Sequence, residues 1–115
     1  MADKEILDDF GSALMRRVRD RSLGRYENIQ RGALKSQRAV ELHDLLSEFD
    51  EQQKKVIKTL ITESIDNTLF NFLFMFEEDE DKEIVVADVN ISEISDGLAG
   101  ELFSQDGWIT RFSQK

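Results

Sequence analysis

Apolar side chains recur at helical spacing through the first two thirds of the chain. Ile6, Phe10, Leu14 and Val18 fall every four residues, with Leu7 and Ala13 widening the stripe, and predict a first helix over 4–20. Asp3 is its expected N-cap, and Glu5, Asp8 and Asp9 suit the positive end of the helix dipole. Ser22-Leu23-Gly24 is the expected stop, with Gly24 free to take the left-handed conformation that ends helices. Leu34, Leu42, Leu45, Leu46 and Phe49 predict a second helix over 30–48. Asp50, followed three residues later by Gln53, forms a variant capping box. It opens a third helix over 51–75, marked by Val56, Ile57, Leu60, Ile61, Ile65, Leu69, Leu73 and Phe76.

Two periods compete at the end of that helix. In 69–76 the phenylalanines 70, 72, 74 and 76 alternate, which is a strand period. The uninterrupted stripe before them favours helix; the alternative makes 68–76 a strand hairpinned to 84–91. Beyond the acidic turn 77–83, Ile84 to Ile91 reads as a β-branched strand. A short helix around Leu98, Leu102 and Phe103 follows, then a turn at Asp106-Gly107. A second strand over 108–113 has Trp108, Thr110 and Phe112 on one face. The expected fold is therefore α+β: about three helices, then a small antiparallel sheet, in one compact domain over 1–115.

Composition narrows the chemistry. The chain has 115 residues, no Cys and one His, which excludes disulfide scaffolds, zinc fingers and thiol catalysis. The N-terminus lacks the basic and apolar regions of a signal peptide, and the longest uncharged apolar run, 67–76, is about half of the ~20 residues that a spanning helix needs. A cytoplasmic location without membrane contact is expected. No phosphate-loop, dinucleotide, nucleophile-elbow or zinc-protease pattern occurs. His43 beside Asp44, with Ser47 one turn on, reads as a boundary histidine. Glu63 and Asp66, one turn apart, read as a solvated pair more readily than as an acid and base. The alternating acids 79, 81 and 83 lack the glycine and the final glutamate of an EF-hand loop. The reading is a non-enzyme with no cofactor and no metal.

Charge is the remaining signal. The net value of −9 divides unevenly: residues 16–38 hold eight bases against two acids, whereas 39–115 hold 18 acids against six bases. Part of the basic run has a local explanation at the C-terminal end of the first helix. The expected function is an acidic protein-interaction domain, with the bacterial immunity or antitoxin type that neutralises a basic protein as its concrete form. Its candidate surface comprises Asp79, Glu80, Asp81, Glu83, Trp108 and Arg111. The alternatives are a basic patch of Arg16, Arg17, Arg21, Arg25 and Arg31 that takes an acidic partner or nucleic acid, and a homodimer joined through 69–76. Nucleic acid is disfavoured because the acidic body repels phosphate.

Overall fold

The computed structural model describes residues 2–115 and shows a mostly helical α+β fold with a small two-stranded antiparallel sheet. Two long helical rods dominate it. The first runs without a break through α1 (Asp3–Leu14), a π-helical stretch (Met15–Asp20) and α2 (Arg21–Gln30). The second is α4 (Glu51–Glu78), and between them lies the shorter α3 (Gln37–Leu46). After α4 come β1 (Val85–Val86), β2 (Val89–Asn90), a 3-10 turn (Ala99–Leu102) and α5 (Trp108–Phe112).

The π stretch changes which residues face inwards. In α1 the buried positions are Ile6, Leu7, Gly11 and Leu14, and Met15 follows at the start of the π stretch. A π turn bonds five residues apart rather than four, so the inward positions after Leu14 and Met15 are Arg19 and Asp20. Val18, four residues after Leu14 and therefore expected on the core stripe, is 44% exposed instead. Burial then resumes at Leu23, Tyr26 and Ile29. Gly24 is not a stop: the helix continues to Gln30 and ends at Gly32. There, Ala33 N donates to Asn28 O at 2.9 Å and Gly32 N to Ile29 O at 3.1 Å. These are the two bonds of a Schellman motif, and Gly32 supplies its positive φ of 72°.

The second helix is shorter than expected. It starts at Gln37, where the Ser36 side chain accepts from Ala39 N, and not at 30. The Asp50–Gln53 capping box forms as read, with both reciprocal bonds present at 2.8 and 2.9 Å. Residues 69–76 are helical. Their alternating phenylalanines are two i,i+4 pairs: Phe70 stacks on Phe74 at 5.7 Å, and Phe72 meets Phe76 edge-on at 5.2 Å. The strand alternative over 68–76 is therefore excluded.

The sheet is smaller than the pattern suggested, and its strands lie elsewhere. Residues 84–91 form both strands of one hairpin, with Val85 opposite Asn90 and Val86 opposite Val89. The turning residues Ala87 and Asp88 both have positive φ, 51° and 65°, as a type I′ turn requires. Residues 108–112 are helical, so the expected second strand does not exist. Trp108, Ile109 and Phe112 all pack on the core, an i, i+1, i+4 pattern that suits a helix and not a strand.

The core occupies one end of the molecule. There α1 and the C-terminal half of α4 enclose Leu69 and Leu73, closed over by Ile91, Leu98, Ala99, Leu102 and Trp108. Towards the other end only α3 covers the rods, and its single buried residue is Ala39. The molecule is accordingly elongated, 49 × 28 × 25 Å, with a radius of gyration of 16.9 Å against the ~13 Å of a compact chain of this length.

Candidate functional site

Two surfaces flank the middle of α4, and the π stretch sets the character of both. On one side it turns Arg19 and Asp20 into the interior, where they are 4% and 8% exposed. Arg19 grips the Asp66 carboxylate from two nitrogens, at 2.6 and 3.2 Å, and also donates to Ser113 Oγ at 2.9 Å. Asp20 accepts from Ser113 Oγ at 2.6 Å and from Gln114 N at 2.7 Å. Glu27 extends the tie by accepting from Lys115 Nζ at 2.9 Å, with Lys58 at 3.7 Å on its other oxygen. The Lys115 hydrogen bond is the main cause that lowers the Glu27 pKa. These groups fasten the C-terminus to the first rod. Glu63 and Asp66 both line an open cleft of about 880 Å³ beside this network, but both oxygens of Asp66 already serve Arg19.

On the other side the same shift leaves Val18 outside, at the head of an apolar groove between α2 and α4. The groove consists of two neighbouring hollows of about 360 and 330 Å³, with Ser22 and Ile61 lining both. Ile65 and Leu69 line its upper part; Tyr26, Ile29, Leu42, Leu46 and Ile57 line its lower part. Leu60, on its edge, is 59% exposed. Thr68, Phe72 and Met75 continue the same face of α4 at helical spacing, with Phe72 45% exposed. An isolated exposed apolar residue is ordinary, whereas a contiguous row along a groove is a feature of interaction surfaces. Among the described residues the buried Tyr26 hydroxyl has no hydrogen-bond partner, and its burial raises its pKa.

The five arginines of the basic patch stand on this first rod. Arg16, Arg17, Arg21, Arg25 and Arg31 are all exposed, and Arg25 lines the groove. Among the described residues none of the first four forms an ion pair; Arg31 donates to the Asn28 side chain. Because the helix runs on to Gln30, Arg16, Arg17 and Arg21 sit mid-helix. The expected pairing with a negative helix end does not apply to them.

The acidic candidates are dispersed by the fold. Asp79 caps the end of α4 and pairs with Lys82 at 2.6 Å; hydrogen bonding with Asp81 and then Lys82 holds its pKa down to about 2. Glu80, Asp81 and Glu83 are exposed, and Glu83 accepts from Asn90 Nδ2 at 3.1 Å. Trp108 adds nothing to that surface. It is 2% exposed, against the backbone of Gly11 and edge-on to Phe10 at 5.8 Å. Arg111 pairs with Asp8 at 2.8 Å and covers the Phe112 ring. His43 is half-buried and donates from Nδ1 to Ile29 O at 2.9 Å, latching α3 onto α2; Ser47 instead donates to Asp44 O. The groove itself was hidden in the sequence, where Val18, Leu60 and Ile61 look like ordinary core positions.

Among the described residues no helix is long and apolar enough to cross a membrane. The chain matches no protein-family model, and no curated protein or solved structure shows significant similarity to it.

Proposed function

We propose that this chain is a non-catalytic protein-interaction domain and that its docking surface is the groove between α2 and α4. The observation that carries the reading is the exposure of Val18 and Leu60 at 44% and 59% over a channel floored by Ile61, Ile65 and Leu69. Leaving large aliphatic side chains in water forgoes about 1.5–3 kcal/mol each relative to full burial, and a partner in the groove recovers part of it. The upper walls belong to the two continuous rods and α3 adds Leu42 and Leu46 to the lower part, so the channel is built on helices and binding orders little backbone.

An incorporated photo-reactive residue at position 60, compared with one at the exposed Glu93 on the opposite end, tests this in cells that express the chain natively. Discrete protein adducts from position 60 alone are expected. Adducts from neither position, or only from position 93, refute it.

A second reading, a neutraliser of a basic protein, draws its support from the exposed carboxylates of Glu80, Asp81 and Glu83. It predicts that Lys substitutions at those three positions abolish binding and leave groove variants unaffected. Self-association through 69–76 draws support from Phe72 and Phe74, 45% and 38% exposed. A monomeric mass by light scattering excludes it.

A further inference from the structure

We infer that the occupant of the groove is an amphipathic helix carrying acidic residues along one edge, an inference that rests on the groove being a docking surface. Shape supplies the first half. The channel follows α4 from Ile57 to Leu69, which at 1.5 Å per residue is about 18 Å, or three helical turns. Its polar lining is mainly the short side chains of Ser22, Ser64 and Thr68, too few to satisfy an extended backbone laid against an aliphatic floor. A helix meets its own backbone bonds and offers apolar side chains at i, i+3, i+4 and i+7, the usual way such grooves are filled.

Charge supplies the second half. On the first rod Arg25 lines the groove, and Arg21 one turn before it and Arg17 in the π stretch before that follow at helical spacing, all exposed and none ion-paired among the described residues. The facing α4 wall presents Leu60, Ser64 and Thr68, which carry no charge. The groove is therefore positive along one side only. A helix lying in it places carboxylates spaced i, i+4 opposite Arg21 and Arg25, about 6 Å apart along the axis. The chain's net charge of −9 opposes an acidic partner at long range, but screening beyond about 8 Å at physiological salt leaves the local arginines to decide. A phosphate backbone would gain from the arginines and nothing from the aliphatic floor.

Selection from displayed helical peptides tests both halves separately. A library of peptides of about 14 residues, with Leu fixed at i, i+3, i+4 and i+7 and both flanks randomised, is selected on the full chain and counter-selected on its Leu60→Asp variant. Survivors are expected to carry Asp or Glu on one flank only. They should bind an Arg21→Glu, Arg25→Glu variant about tenfold or more weaker, and an Arg21→Gln, Arg25→Gln variant by an intermediate factor. Survivors with neutral or basic flanks, or indifferent to the arginine variants, overturn the acidic edge while leaving the groove as a docking surface. No peptide sensitive to Leu60→Asp overturns the groove itself. Tighter binding of a duplex of about 20 base pairs, lost in the Arg21→Glu, Arg25→Glu variant, assigns the arginines to nucleic acid and overturns the inference. All three positions are exposed, so unchanged thermal unfolding of the variants separates lost binding from lost fold.

Discussion

Alanine at Gly11 and alanine at Gly24 are the same chemical change in one continuous helical rod, yet opposite outcomes follow from the packing. In a helix interior, Gly→Ala gains about 0.5–1 kcal/mol because the unfolded chain loses conformational freedom. At Gly24 a Cβ meets nothing within 4 Å, so that gain is kept. At Gly11 a Cβ falls 2.5 Å from Cε2 and Nε1 of Trp108 and 2.6 Å from its Cδ2, about 1 Å inside ordinary carbon contact. The indole has little room to retreat, being 2% exposed and edge-on to Phe10. Overpacking of this kind costs about 1–3 kcal/mol, which outweighs the propensity gain. The two variants are therefore expected to differ by about 1–3 kcal/mol. At about 4 °C per kcal/mol, Gly24→Ala raises the Tm by about 3 °C and Gly11→Ala lowers it by up to about 9 °C. Thermal scans by circular dichroism measure this, and urea midpoints with an unchanged m-value confirm that stability alone has moved. A Gly11→Ala chain as stable as Gly24→Ala refutes the seating of α5 on α1, and with it the placement of Trp108 in the core.

Three further outcomes follow. Asp66→Ala leaves Arg19, whose side chain is 5% exposed, without its hydrogen-bonded carboxylate, only the more distant Asp20 at 3.9 Å remaining, and should cost about 3 kcal/mol, whereas Arg19→Met with Asp66→Leu should cost less; equal losses would contradict a buried ion pair. The fluorescence of Trp108, the one tryptophan, should be blue-shifted and shielded from acrylamide; a solvent-like spectrum contradicts its burial. Burial raises the pKa of Glu101 above the usual 4.5, so its contribution favours folding at low pH and is lost as pH rises through the raised value. Glu101→Gln should therefore raise the Tm at pH 7, with the advantage vanishing by about pH 3.5; an advantage that grows on acidification contradicts this sign.

Local chemistry made some of the fold legible. The Asp50–Gln53 box starts α4 where it was read, because both partners lie within one turn and owe nothing to the rest of the chain. The α+β class and the helicity of 69–76 were likewise legible. What misled was period taken over short runs. Alternation at 108–112 suggested a strand, yet a lone edge has no partner there, and burial of Trp108, Ile109 and Phe112 favours a helical turn. In 84–91 the β-branched run concealed a turn at Ala87-Asp88, which lack the glycine that usually marks such a turn.

The π stretch is the deeper case. No single residue announces it, but one inserted position moves Arg19 to the core and Val18 to the groove. Every later assignment on the rod depends on that step. The arginines looked like the end of a helix because Gly24 looked like its stop; with the stop at Gly32 they become a mid-helix row beside an apolar channel. The candidate site was thus invisible as a site. Its arginines were singled out for their charge, while its aliphatic wall was counted as core.

Because the chain has no Cys, one introduced cysteine reports on one place. Ser22→Cys lines both hollows of the groove, and Glu93→Cys is an exposed control. In the purified protein both thiols are expected to react readily with a maleimide. Inside cells that express the chain natively, a seated partner slows labelling of Ser22→Cys by tenfold or more relative to Glu93→Cys, and Leu60→Asp restores it. Equal labelling of the two positions in those cells, with or without Leu60→Asp, would contradict the groove as the surface through which this domain works.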